Sequence, residues 1–413
     1  MFKSWPNPRA IASWCLYDFA NSIYVAVIPA TVWSAYYSTV VCGGGGEGPL
    51  WWGRVVSVTM LFVAVTSPFM GAVADLAGWR KRLLIVYTVA SVIATALLAT
   101  VGPGMVFYGF VLSVIAGIGF EGAMVFYNAY MPALSPPDRQ GRLSGLGYAI
   151  GYAGSFLGLI AVLPLVNAKL YAAAFGLVAL LYLLFAIPSF IYLPAQSIAT
   201  HRVAGAVSDG WRGTRRTAGD IWKIKPLRRF LLSFLLYQDG VLTIIFFSSI
   251  FARQVLDFEM GDLILVYMVV QLSALIGAAL WAKPTDVKGP KFVVMAMITQ
   301  WIVVVVLVYF VEEKLAFFIV AALAGTGLGA IQAASRALMA TFIPPGREGE
   351  FFGFYSLCGK SSSIIGPLVF GWIASVTGGD LRLAALSVLV FFVAGGGMLM
   401  RVPSNRRSDC LAR

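Results

Sequence analysis

Residues 117–158 read GIGFEGAMVFYNAYMPALSPPDRQGRLSGLGYAIGYAGSFLG, and residues 325–366 read GTGLGAIQAASRALMATFIPPGREGEFFGFYSLCGKSSSIIG. Laid over each other at an offset of 208, the strings share Gly117/Gly325, Gly119/Gly327, Met131/Met339, Pro136/Pro344, Pro137/Pro345, Arg139/Arg347, Gly141/Gly349, Gly145/Gly353, Gly151/Gly359 and Ser155/Ser363. Glycines and prolines fix turns and close helix approaches, so their recurrence over this length marks a structural unit used twice. A shorter echo precedes each copy: Asp75, Gly78 and Arg80 recur as Asp286, Gly289 and Lys291 at an offset of 211.

The composition says what kind of unit this is. Of 413 residues, 60% are hydrophobic and 12% charged, with a mean hydropathy of +0.85. Soluble chains carry about 25% charged residues, so the chain is an integral, multi-pass membrane protein, and soluble enzymes, nucleic-acid binders and disordered scaffolds are excluded as classes. The lone histidine, His201, leaves no zinc site or histidine triad to build, and four scattered cysteines without a CxxC pair give neither a metal knuckle nor a disulfide frame. No cofactor is implied. The first apolar segment holds Asp18 and Asn21 and is too long for a signal peptide, so it reads as a retained span.

A span needs about 20 apolar residues. That window places twelve, at about 12–37, 51–74, 83–101, 105–131, 142–167, 171–193, 230–252, 262–282, 292–311, 315–342, 351–376 and 381–400. Short turn-rich connections separate them, except for a polar stretch after the sixth. The expected organisation is a six-helix bundle over 1–193, a basic cytoplasmic linker over 194–229, a second bundle over 230–401 and a cytoplasmic tail over 402–413. With the N-terminus inside, 23 of the 30 Lys and Arg fall on inside segments and five outside, so both termini are expected to be cytoplasmic. Eight of the 23 lie in the linker, which reads as a charged segment near anionic headgroups rather than a dedicated partner site.

A six-span unit repeated in one chain is the plan of transporters that rock two halves about a midplane site. The string Gly71-Ala-Val-Ala-Asp75-Leu-Ala-Gly78-Trp-Arg80-Lys81-Arg82 resembles the loop signature of the major facilitator superfamily, departing at Leu76, where a basic residue is usual. The resemblance implies an all-α membrane protein with twelve transmembrane helices in two pseudo-symmetric six-helix bundles. It also implies that Asp75 and Arg80 are gate residues, with Asp286 and Lys291 as a weaker second copy.

Further strings narrow the branch: Trp14-Cys-Leu-Tyr17-Asp18-Phe-Ala-Asn21-Ser22, Phe126-Tyr127-Asn128, Ser144-Gly-Leu-Gly-Tyr148, Asp239-Gly240 with Thr243, Ser335-Arg336-Ala, and Phe351-Phe352-Gly353-Phe-Tyr355 with Gly359-Lys360. Together they resemble the vacuole-effluxer branch, whose eukaryotic members export amino acids from the vacuole after autophagy. The bacterial relatives are mostly of unassigned substrate, and a bacterial inner membrane is the expected location.

Five charges fall well inside spans: Asp18, Glu121, Asp239, Arg336 and Lys360. Each costs at least about 2.5–3.5 kcal/mol at a helix centre, so each should face a cavity or a partner. The superfamily resemblance puts spans one, four, seven and ten around a central cavity, and four of the five charges are on those spans. Helical spacing groups Asp18 with Ser22, Glu121 with Asn128, Gln332 with Arg336, and Asp239 with Thr243. Such a lining suits a zwitterion, its carboxylate on Arg336 or Lys360 and its ammonium on an acid. The expected substrate-binding set is Asp18, Ser22, Asn128, Gln332, Arg336 and Lys360, with Glu121 and then Asp239 as proton-coupling acids. The competing reading is a structural ion pair of Asp18 or Asp239 with Arg336 or Lys360.

Two strings mislead. Gly117-Ile-Gly119-Phe-Glu121-Gly122 satisfies a dinucleotide pattern but lies inside a span, where small residues serve helix packing. Gly353 to Lys360-Ser361 has the wrong spacing for a phosphate loop. The leading expectation is a non-enzymatic secondary transporter of a small polar solute, proton-linked and monomeric, whose partners are that small molecule, H+ and membrane lipids, with no nucleic acid. The alternatives are an exporter of drug-like or lipidic compounds, and a non-transporting receptor or scaffold.

Overall fold

The computed structural model describes residues 5–44, 47–195, 203–362 and 365–403. Within them, twelve helices are long and apolar enough to cross a membrane: Pro8–Val41, Glu47–Ala77, Arg80–Thr100, Val106–Leu134, Pro137–Asn167, Tyr171–Tyr192, Lys225–Leu256, Gly261–Val287, Pro290–Phe310, Lys314–Thr341, Glu348–Val376 and Leu381–Met400. Each edge falls within about five residues of the expected one, the usual latitude where helix ends fray. We number them spans one to twelve. Their outer faces carry Leu61, Phe107, Phe310 and Leu368, each about two-thirds exposed, as lipid-facing residues must be.

The two stops at Gly78 and Gly289 show why the repeat conserves glycine. Gly78 has φ +66° and Gly289 φ +89°, left-handed conformations that reverse the chain after spans two and eight. A side chain there would strain both turns.

Two compact units are present. The first comprises Met1–Ser135, Ile150–Arg215 and Pro344–Phe354, and the second Pro136–Ala149, Arg216–Ile343 and Tyr355–Arg413. Their borders therefore depart from the linear halves: the start of span five belongs to the second unit, and the start of span eleven to the first.

In the first unit, span one packs on span six, and span four on spans two and three. An aromatic core fills the gaps. Trp14 stacks on Tyr127 at 4.5 Å, and Tyr17 stacks on Tyr127 at 5.2 Å. The buried Trp14 indole donates to the Tyr127 carbonyl (3.0 Å), and the Tyr17 hydroxyl meets Thr88 Oγ1 (2.6 Å), so these two rings are buried with their polar ends satisfied. Gly119 lets span four approach span three, since a Cβ there would stand 2.6 Å from the Tyr87 carbonyl oxygen and 2.7 Å from the Ser91 nitrogen. Gly117 and Gly122 are equally tight against Thr59 and Tyr87, which accounts for the nucleotide-like string as packing. Span one is interrupted near Pro29, continuing as the short helix Val32–Tyr36 and a wide π turn Tyr37–Val41.

In the second unit, span ten packs on spans eight and nine, and span twelve on spans seven and nine. The span eight–ten seam is built from Gly277, Gly325 and Gly329, whose missing side chains admit the backbone of Thr326, the side chain of Ser273 and the backbone of Ala274 respectively. Span eleven contains the helices Glu348–Ser361 and Ile365–Val376; Ser363 lies outside the described residues.

Residues Val203–Lys223 form a helix despite Gly205, Gly210, Gly213 and Gly219. Glycine disfavours helix by about 1 kcal/mol per residue, so burial of one face must offset it: Gly210, Thr217 and Ile221 are buried while Trp211, Arg212, Arg215, Arg216, Trp222 and Lys223 are exposed. His201 and the tail beyond residue 403 lie outside the described residues.

Candidate functional site

The repeated acids sit at helix starts. Asp75 Oδ2 accepts the backbone N–H of Glu350 at 3.0 Å, in the first turn of span eleven. Asp286 Oδ1 accepts the N–H of Gly141 at 2.7 Å, and Arg142 N–H also donates to Asp286 (3.2 Å), in the first turn of the helix Gln140–Asn167. Gly141 and Gly349 are repeat equivalents, so each acid caps the matching helix. The first helical turn leaves N–H groups unpaired and carries a partial positive charge, and a carboxylate answers both.

Glycine is required at both positions. A Cβ on Gly349 would stand 2.7 Å from the Gly71 carbonyl oxygen and 2.9 Å from Asp75 Oδ1; one on Gly141 would stand 2.6 Å from Asp286 Oδ1.

The basic partners differ between the copies. Arg80 is buried and bridges Asp75 and Glu348, each at 2.9 Å, while donating to the Ala129 carbonyl at 3.2 Å. Asp286 instead pairs with Arg142 at 3.1 Å. Lys291 is directed elsewhere: its ammonium donates to the carbonyls of Met400 (3.1 Å) and Val402, closing the end of span twelve. In the first unit Lys81 makes the same contact with Ile191 and Leu193, at 3.2 and 2.7 Å. Lys291 thus does the work of Lys81 rather than Arg80. Glu348 and Arg142, which lie beside the shared glycines, are members of these clusters outside the expected gate set.

Among the intramembrane charges, Asp18 is 4% exposed and shares a face of span one with Ser22 and Asn21. That face meets span five at Gly151, where a Cβ would lie 2.9 Å from Ser22 Oγ and 3.5 Å from the Asp18 carboxyl carbon. Ser155 Oγ donates to the Ser22 carbonyl (3.2 Å), and Asn21 reaches Met124 Sδ on span four (3.4 Å). Glu121 is buried on the same span as the half-buried Asn128. Asp18 and Ser22 are therefore brought together with Asn21, which is not in the expected binding set.

In the second unit, Arg336 is fully buried. Its Nε donates to Ser144 Oγ and its Nη2 to the Ser144 carbonyl, both at 2.9 Å, and its guanidinium lies 4.2 Å from the Tyr148 ring centre. Ser144 Oγ in turn donates to Ala333 O at 2.7 Å. Tyr355 stacks on Phe234 at 4.3 Å, and the neighbouring Tyr237 hydroxyl meets Ser335 Oγ at 2.7 Å. Such a frame fixes a planar cation by hydrogen bonds and ring stacking together. Gln332 and Lys360 are half-buried.

Asp239 has separate partners. Both of its oxygens accept the N–H of Gly366 at 2.9 Å, at the start of the helix Ile365–Val376. The buried Thr243 flanks it, and a Cβ on Gly366 would collide with Thr243 Oγ1 and stand 2.6 Å from Asp239 Oδ1. Among the described residues no group of three or more His, Cys, Asp and Glu is placed to hold a metal ion.

The family model for vacuole effluxer Atg22-like proteins matches residues 54–409, most of the chain. The chain belongs to the Atg22-like vacuole effluxer family. An MFS-type transporter of Bacillus subtilis, YxiO, is 30% identical to this Atg22-like chain, over 96% of it and 95% of the relative. Autophagy-related protein 22 of Yarrowia lipolytica is 23% identical, over 85% of the chain and 75% of the relative. Two solved structures share the fold. The human organic anion transporter MFSD10 superposes with a TM-score of 0.75 at 16% identity, covering 95% of this chain and 99% of that one. The proton:xylose symporter XylE superposes at 0.72 and 13% identity, covering 98% and 97%. The Atg22-like chain thus has the major facilitator fold and is a transporter rather than an enzyme.

Proposed function

We propose that the protein moves a small polar solute, an amino acid or a similar zwitterion or organic anion, by proton-coupled alternating access. The observation that carries this reading is Arg336, a fully buried guanidinium in span ten, framed by Ser144 and Tyr148. A permanent cation held at membrane depth is costly, and recognition of a carboxylate is a reason to keep it. Arg336 is the carboxylate-binding residue, with Gln332 one turn before it on span ten and Lys360 on span eleven of the same unit. On the first unit, Asp18 with Ser22 and Asn128 is the acidic set proposed to bind an ammonium group. Glu121 is the first proton-coupling acid and Asp239 the second. A drug-like or lipidic cargo would not need this charged frame.

The basic ends of the spans face the cytoplasm in this reading, from the charge asymmetry of the loops. Asp75 with Arg80 and Glu348, and Asp286 with Arg142, then latch that side. The test is a thermal-stability screen of the purified protein against amino acids, organic acids, sugars and peptides. Stabilisation by amino or organic acids that depends on their carboxylate is expected. Stabilisation by sugars alone, or by the amides of the same acids equally well, would overturn the reading.

A further inference from the structure

We infer that the helix Val203–Lys223 is a docking element for anionic phospholipid headgroups, held in the membrane surface beside span two. Its seat is explicit. Gly210 packs on span two, where a Cβ would lie 2.8 Å from Val73 and 3.3 Å from the Phe69 ring. Gly213 faces Ala72 and Leu76, and a Cβ there would stand 3.2 Å from Glu350 Oε1. The helix therefore abuts the end of one membrane span, and after Ile224 the chain enters another at Lys225. At 21 residues the helix is about 30 Å long, enough to run along the bilayer surface.

The rest of its circumference is sorted by chemistry. At about 100° per residue, Gly210, Gly213, Thr217 and Ile221 share the seated face. Trp211 and Trp222 fall together on one flank and are 58% and 67% exposed. Arg212, Arg216 and Lys223 form a ridge further round, and the Arg212 side chain is 87% exposed. Arg215 lies between the two and stands over the Trp211 ring at 5.9 Å, as Arg228 stands over Trp222 at 5.0 Å. Asp209 and Asp220 fall beyond the ridge on the side away from the tryptophans, and Asp209 lies 3.8 Å from Arg212.

A flank of exposed indoles beside a basic ridge matches the bilayer boundary, with rings at the headgroup level and cations on the phosphates. Charge complementarity selects anionic over zwitterionic lipid, and continuity with spans two and seven selects the bilayer over a soluble partner. The surface is independent of which solute is carried.

The test uses the full chain in nanodiscs of phosphatidylcholine alone and of an equal mixture with phosphatidylglycerol, with amide hydrogen exchange read over residues 209–223. Each basic side chain near an anionic surface contributes about 1 kcal/mol, or about fivefold. Exchange more than about fivefold slower in the anionic discs is therefore expected. The Arg212→Gln/Arg215→Gln/Arg216→Gln/Lys223→Gln variant, altered only at exposed side chains, should abolish the difference. Equal exchange in the two membranes, or a difference that survives in the variant, would overturn the inference and leave the ridge a solvated face or a site for an acidic protein.

Discussion

Asp75 Oδ2 accepts the backbone N–H of Glu350 across 275 residues of chain, while its other oxygen pairs with Arg80. One carboxylate thus caps a helix and neutralises a buried guanidinium. Asp75→Asn keeps an acceptor but loses the charge. Removing one member of a buried pair costs about 3–5 kcal/mol, here reduced because Arg80 keeps Glu348. Exchange of the Glu350 amide should rise by about tenfold or more, a loss of about 1–3 kcal/mol. Unchanged exchange would mean the carboxylate's charge adds nothing to the cap.

The second copy makes a contrasting prediction. Arg142→Gln removes the partner of Asp286 and should slow transport, whereas Lys291→Gln leaves the Asp286 cap on Gly141 intact. Lys291→Gln is expected to lower thermal stability by about 1 kcal/mol, the scale of a hydrogen bond at a helix end, with transport kinetics near those of the parent. Parallel kinetic defects in the two variants would restore Lys291 to the latch.

Gly141→Ala and Gly349→Ala should behave alike, since each would drive a Cβ into the acid that caps its helix. Overpacking of this kind costs about 1–3 kcal/mol. Melting temperatures of the two variants in detergent should fall together, while Gly176→Ala, where a Cβ meets nothing within 4 Å, should not shift. A fall in only one of the pair would break the equivalence.

At Asp239 the cap and the proposed proton role separate by substitution. Asp239→Asn retains an oxygen for the Gly366 N–H, so stability should change little, and Asp239→Ala should cost about 1–2 kcal/mol as a lost cap does. Coupling is read from the Asn variant: solute flux should lose its dependence on a pH gradient if the acid carries protons. Unaltered dependence with Glu121→Gln abolishing it would assign coupling to Glu121 alone.

Much of this was legible in the sequence. Twelve spans follow from apolar runs bounded by Gly and Pro, and the duplication from glycines such as Gly141 and Gly349, whose spacing survives because backbone contact tolerates nothing larger. The five intramembrane charges were visible for the same reason, as exceptions in an apolar background. Partners were harder to read. Ser144 meets Arg336 across 192 residues, and Glu348 meets Arg80 across 268, and no local periodicity records either. By offset Lys291 aligns with Arg80, yet its contacts match those of Lys81, the next residue in a run of three cations, and only the carbonyls of Met400 and Val402 reveal this. The linker helix escaped because four glycines mask its pattern.

The central claim is that Arg336 recognises a carboxylate. Its most direct test is uptake of labelled amino acids into proteoliposomes by the parent, Arg336→Lys and Arg336→Gln, with and without an imposed proton gradient. Gradient-driven uptake by the parent is expected, with at least about a tenfold loss for Arg336→Lys, which cannot reproduce the planar fork on Ser144 and the stack on Tyr148, and no uptake for Arg336→Gln. Uptake that Arg336→Gln leaves unchanged would contradict it.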